Sequence, residues 1–292
     1  MRWVIANCRA LLAACFIFLA GGLDARAQGR LSAQYDIIMT GVTIGHMAWT
    51  VDIGDTQYTT AASGKASGVA SVLIHGEGEV AGVGRVENWH LKPEQFHSHI
   101  TDDDGLTDLT LSFTEGVARV SATPPLNPTP ERRPVTDADL RGVADPLSAV
   151  LITARPGESF FTAGNCDQVL AIFDGRRRYD LALSFKRIDK FALKGGYSGP
   201  VLVCNVVLKP IAGYKPDSLL VKYVAGRKDM ELWFAPIPGT AVMAPIRVAM
   251  PTLIGTLKIE ADRFDAAAAL PPPPPNPPTL SPPPTGAPLT AH

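Results

Sequence analysis

Tyr179-Asp180-Leu181-Ala182-Leu183-Ser184-Phe185-Lys186 decides the fold class. Large apolar side chains fall on every second residue, and the residues between them are mostly small or polar. That period of two marks a strand with one face buried and one face wet. The same reading repeats outward along the chain. Ala33, Tyr35, Ile37 and Met39 alternate with Gln34, Asp36 and Thr40, and Met47, Trp49, Val51 and Ile53 alternate with His46, Ala48, Thr50 and Asp52. Leu109, Leu111 and Phe113 do so again, as do Leu257, Ile259 and Ala261 near the end. Half-wet strands of this kind belong to antiparallel sheet. Val201–Leu208 is almost wholly apolar and is expected to be covered on both faces. Turn signals at Gly54-Asp55, Asp104-Gly105, Asp174-Gly175 and Pro238-Gly239 separate the runs at hairpin spacing. The expected fold is mainly β: one curved antiparallel sheet or open barrel of about ten to twelve strands, with one or two short helices.

The better helix is Asp145–Thr153. Asp145 is a capping residue, Pro146 suits the first helical position, and Leu147, Val150 and Leu151 make one apolar face that would plug the concavity. A single turn over Gly68–His75 is a second candidate. The proline-rich stretch 123–135 separates an N-terminal sheet half from a C-terminal half, inside one β domain spanning 28–264. From 265 the character changes: Ala266–His292 holds eleven prolines and no Asp, Glu, Lys or Arg. Such a segment cannot bury apolar surface and reads as an extended, disordered tail. It would act as a spacer, or as a tether to a partner protein in the envelope.

The chain has 292 residues, 46% of them hydrophobic and 19% charged, with a net charge of −1. Near-neutral charge excludes the basic footprint of a nucleic-acid binder. Residues 1–27 read as an export signal: Arg2 and Arg9, an apolar run Ala10–Leu23, then Ala25-Arg26-Ala27 before Gln28. Leu12-Ala13-Ala14-Cys15 also fits a lipobox, but it lies too close to Arg9, and the apolar run continues past it. Ordinary cleavage into the periplasm or medium is therefore the expected fate, with an uncleaved membrane anchor as the third option. Cleavage leaves 24 basic and 27 acidic residues, and two cysteines, Cys166 and Cys204. In an exported chain such a pair reads as a disulfide.

Chemistry-bearing patterns are few. His97 and His99 share a strand face close to Asp102–Asp104, but an H-x-H spacing alone specifies too little, and no metal site is expected. Glu77 and Glu79 also share a face and read as a solvated one. Arg176-Arg177-Arg178 is an anion-binding candidate beside its plainer role as a wet hairpin shoulder. Gly195–Pro200 lacks the G-x-S-x-G spacing of a nucleophile elbow, and neither a P-loop nor a G-x-G-x-x-G is present, so no cofactor and no catalytic residue are expected. The inward-facing candidates Trp49, Phe113, Leu183, Phe185, Leu257 and Ile259 would line an apolar cup, or else form a closed core around Leu147 and Leu151.

Several motifs in order suggest a relationship. Tyr35-Asp36-Ile37 with Gly41-Val42-Thr43-Ile44-Gly45 opens the series, followed by Asp145-Pro146-Leu147-Ser148-Ala149 and the turn Asp174–Asp180. Leu232-Trp233-Phe234-Ala235 and Pro245-Ile246-Arg247 complete it. Together these resemble the bacterial domain of unknown function 3108 family over about 30–264. The resemblance implies an exported, mainly antiparallel β protein and carries no catalytic residues. Three functional classes follow: a non-catalytic envelope protein holding an apolar or lipid-like ligand or docking on an envelope partner, a periplasmic hydrolase, or a structural component acting through its tail. The first is the expected one.

Overall fold

The computed structural model describes residues 28–67, 76–103, 105–126, 130–155 and 157–269. Seven strands form the first half: β1 (Gly29–Met39), β2 (Val42–Ile53), β3 (Gln57–Ala66), β4 (Gly76–Glu87), β5 (His90–Asp102), β6 (Gly105–Thr114) and β7 (Val117–Thr123). After helix α1 (Pro146–Ala149) come β8 (Ile152–Thr153), β9 (Val169–Phe173), β10 (Arg178–Ala192) and β11 (Ser198–Ala212). Helix α2 (Leu219–Ala225), β12 (Met230–Pro236), β13 (Val242–Thr252) and β14 (Gly255–Ala268) complete the chain. All belong to one antiparallel sheet ordered β7-β6-β5-β4-β3-β2-β1-β14-β13-β12-β11-β10-β9, with β8 paired to β13. The mainly β, barrel-like reading is thus correct, with fourteen strands in place of ten to twelve. The additional ones include β3, whose Ala, Ser and Gly residues give little alternation, and the two-residue β8.

The sheet curls until its two edges nearly meet, and residues 140–144 fill the gap. On one side Ala118 N donates to Leu140 O (2.9 Å) and Gly142 N to Gly116 O (2.8 Å). On the other, Ala144 N donates to Ala171 O (2.9 Å) and Phe173 N to Ala144 O (3.0 Å). Part of the backbone of both edge strands is thereby partnered. One end of the barrel holds the paired Gly29 and Ala268 and is called here the terminal end. The distal end carries the β1–β2, β9–β10 and β13–β14 turns and the 213–229 connection that includes α2.

Three corrections to the sequence reading follow. The helix expected over Asp145–Thr153 is only Pro146–Ala149, because the β-branched Ile152 and Thr153 pair with Met243 and Val242 instead. The tail does not begin at 265: Asp265–Ala268 pair with Gly29–Ser32 and prolong β14. The second helix lies at Leu219–Ala225, while the candidate at Gly68–His75 falls outside the described residues, as do the 1–27 segment and the chain beyond 269.

Both faces of the middle of β11 are buried. Val201 and Val203 of β11 point into the barrel with Tyr35, Trp49, Trp233 and Phe264, while Leu202, Cys204 and Val206 point outward. The outward cluster is covered by the strap 154–170 and by α2. Cys166, in a 3-10 turn of the strap (Ala163–Cys166), is bonded to Cys204 with Cα atoms 5.7 Å apart. The interior is closed by α1: Leu147 packs against both the central cluster and the Phe96–Leu111–Phe173 cluster, and Leu151 is buried in the former. Of the two arrangements open to the apolar inner face, the filled core is the one observed.

Candidate functional site

Asp145 starts α1 and is fully buried. Its Oδ1 accepts from Leu147 N and Ser148 N, both at 3.0 Å, so the sequence-predicted cap forms. Its Oδ2 has no hydrogen-bond partner among the described residues. Burial raises the carboxyl's pKa against the opposing effect of the hydrogen bonds from Ser148 and Leu147. Tyr58 Oη donates to Ser148 Oγ at 2.7 Å, and burial pushes the phenol's pKa well above its ordinary value. Tyr58 is therefore a donor here and not a base. Gly82 lies beneath this group, where a Cβ would stand 3.7 Å from both Asp145 Oδ1 and Ser148 Oγ. Trp49 Nε1 donates to Thr60 Oγ1 at 2.7 Å beside it. These side chains hold α1 in the barrel by paired polar groups.

Above α1, at the terminal end, a cavity of about 560 Å3 remains open. Ser148, Ala149 and Leu151 form its floor, and Leu91, Phe113, Val143 and Leu170 supply apolar wall. Arg85, His90 and Lys92 stand at the rim with Glu87 and Glu115. Arg85 is neutralised by Glu87 and Glu94, each at 2.7 Å, whereas Lys92 has no carboxylate within ion-pair distance among the described residues. The adjoining β4–β5 turn holds Asn88 and Trp89 in the left-handed region (φ 49° and 69°), with Trp89 exposed. A larger groove of about 660 Å3 crosses the outer face of β1–β5, lined by Asp36, His46, Lys65, Glu77, Glu79 and His99. Its lining also includes the apolar residues Tyr35, Met47 and Ala48. There His46 Nδ1 meets Asp36 Oδ1 at 2.8 Å and His99 Nδ1 meets Asp108 Oδ1 at 2.5 Å.

The structure scatters the other candidates. Trp49 and Ile259 pack in the central cluster, Phe113 lines the terminal cavity, and Leu257 is half-buried at the far end of β14. Leu183 and Phe185 are not cup residues. Leu183 is buried in the outward cluster and Phe185 is exposed, because their strand parity places them on the outer face before the bulge between Phe185 and Arg187. His97 and His99 share the outer face as expected, but His97 Nδ1 meets Thr110 Oγ1 at 3.0 Å, and no cluster of three metal-ligating side chains occurs among the described residues. Arg178 leaves the anion-binding set: it donates to Asp180 Oδ1 at 2.5 Å and to Asp139 O at 3.1 Å. Arg176 and Arg177 stay exposed at the distal end, in a turn whose backbone amides Asp174 Oδ1 accepts at 2.8 and 2.6 Å. Sequence reasoning missed Tyr58 and Ser148, whose partnership spans 90 residues and leaves no local signal.

Fold and site together define a plugged antiparallel β-barrel with a cavity of mixed polar and apolar lining at its mouth and a more apolar hollow of about 570 Å3 on its outer face, lined by Ala48, Ala61, Ala62, Val80 and Ala81. The chain belongs to the family described as "Protein of unknown function (DUF3108)", whose profile matches residues 34–262. Among solved structures it is similar to a β-barrel-like protein of domain of unknown function DUF1849 from Brucella abortus. That pair has 12% identity and a TM-score of 0.45, covering 82% of this chain and 97% of the other. It is also similar to a candidate lipoprotein from Parabacteroides distasonis, with 7% identity and a TM-score of 0.34, covering 82% and 95%. No curated protein matches.

Proposed function

We propose that this protein is an exported, non-catalytic binding protein of the cell envelope, taking an apolar or amphipathic ligand in the terminal-end cavity. The observation that carries this reading is the cavity's construction: about 560 Å3, within the usual range for small-molecule sites, with Phe113, Leu91, Val143 and Leu170 on the walls and Lys92 at the rim. That set suits a short acyl or aromatic body with an anionic head. The expected cup over the whole inner face is replaced by this smaller space, since α1 occupies the rest. The Cys166–Cys204 bond supports an oxidising compartment outside the cytoplasm, in agreement with the export signal read in residues 1–27.

The test is native mass spectrometry of protein purified from its own host, followed by thermal unfolding with medium-chain fatty acids and lysophospholipids. A ligand at about a hundred times its Kd adds roughly 2.7 kcal/mol, which raises Tm by about 5–10 °C for a domain of this size. Ala149→Phe, which adds a ring at the cavity floor, is expected to abolish that shift. Protein that carries no ligand and gains no stability from any of these compounds overturns the proposal.

A further inference from the structure

We propose that the distal end docks on an anionic lipid surface. Three segments far apart in sequence meet there. The β9–β10 turn packs on the 213–229 connection, with the Arg177 guanidinium 6.0 Å from the centre of the Tyr214 ring. Residues 132–133 pair with the same connection: Arg133 N donates to Tyr214 O (3.0 Å) and Gly213 N to Arg133 O (2.8 Å). Segments 131–133, 174–177 and 213–229 carry eight Lys and Arg against four Asp and Glu, a surplus of four on a chain whose net charge is −1. Arg133, Arg176, Lys215 and Lys228 have no carboxylate within ion-pair distance among the described residues. Asp139, which lies in the field of Arg133 and Arg178, and Asp102 and Asp103 of the β5–β6 turn at the same end offset most of the surplus.

Exposed aliphatics stand at the same end. Leu219 and Leu220 of α2 are 77% and 53% exposed, while Tyr223 and Val224 on the other side of that helix pack into the outward cluster with Val248 and Met250 of β13. Just beyond Met250, the β13–β14 turn presents Leu253 and Ile254, 57% and 76% exposed. Thr40 ties this turn to the β1–β2 turn, donating its amide to Thr256 O (3.0 Å) and its hydroxyl to Ile254 O (3.3 Å), and Val42 adds a further exposed side chain. Aliphatics projecting from a cationic surface match the two requirements of an interfacial membrane site, apolar insertion and attraction to anionic headgroups. A protein partner is the competing occupant. The cations Arg133, Arg176, Lys215 and Lys228, which lack carboxylate partners among the described residues, favour lipid headgroups. The inference is independent of the terminal-end cavity.

The experiment uses the full chain and vesicles of phosphatidylcholine with or without about one third phosphatidylglycerol. A Leu219→Trp reporter is expected to shift to the blue and to be quenched by brominated acyl chains only on the anionic vesicles, with less quenching at high salt. The wild-type Trp89, exposed at the opposite end, serves as the orientation control. Removing two cations with Arg176→Ala/Arg177→Ala is expected to weaken partitioning roughly thirtyfold. Leu219→Ser/Ile254→Ser is expected to weaken it further while leaving the unfolding transition in place, since both side chains are exposed. An unquenched Leu219→Trp indole, quenching confined to Trp89, equal uptake by neutral vesicles, or variants that bind like wild type would each overturn the proposal, the last in favour of a protein partner.

Discussion

Breaking the Cys166–Cys204 bond tests how the strap is held. The bridge closes a loop of 38 residues. In the chain-entropy account, cross-linking a loop of that length removes freedom from the unfolded chain worth about 4 kcal/mol at 25 °C. The folded side should change little. Phe160, Phe161, Leu170 and Ile172 keep the strap packed on β11 and β12, and Asn165 Nδ2 still donates to Ser159 O and Phe160 O at 3.0 Å. Cys166→Ala/Cys204→Ala avoids burying new hydroxyls at two fully buried positions. The expected result is a folded protein destabilised by about 4 kcal/mol in guanidinium titration, with Tm lower by roughly 8–16 °C. Treating the wild type with reductant should reproduce it. A loss below about 1 kcal/mol would refute the loop-entropy reasoning, and a strap that becomes protease-sensitive while the barrel stays folded would show that the bond, not the packing, holds it.

Three further outcomes are expected. The raised pKa of Asp145 means that the folded state keeps a proton the unfolded chain releases. Its contribution is therefore most favourable below the unfolded value and is lost as pH rises through the folded value. The stability of wild type relative to Asp145→Asn should fall with rising pH in denaturant titrations. Using the difference removes the opposite trend from Asp139, whose carboxyl is held low by Thr136, and Asp189, held low by Arg187. Leu151→Ala, which empties part of the central cluster, should cost about 2–5 kcal/mol, whereas Phe185→Ala on the outer face should cost far less, measured by chemical unfolding. Gly175→Ala should destabilise by about 2 kcal/mol or more, since φ is +92° and a Cβ would meet the Leu109 side chain; an unchanged Tm would sink that account.

Much of the sheet could be read from alternation, because one wet and one dry face leave a period of two in β1, β2, β6, β10 and β14. Parity alone does not say which face looks inward. Leu183 and Phe185 have the same alternation as Trp49 and lie on the opposite surface, where Leu183 is buried beside the strap while Phe185 stays exposed. The start of α1 was legible in Asp145-Pro146, where the cap is local chemistry. Its end was not, because the preference of Ile152 and Thr153 for β13 depends on a partner about 90 residues away. The cysteine pair was readable from its count in a chain whose first residues read as an export signal. The Tyr58–Ser148 pair is a product of topology, as is the meeting of Arg133, Arg177 and Tyr214 at the distal end, and no window of sequence contains either.

The segment that closes the wall also leads directly into the plug. Ala144 exchanges hydrogen bonds with β9, and Asp145, the next residue, caps the helix that fills the interior. Wall and stopper are therefore cut from one strip. The residue that seals the seam is covalently next to the residue that caps the plug, so the register of the wall and the seat of α1 are set by one short stretch of backbone.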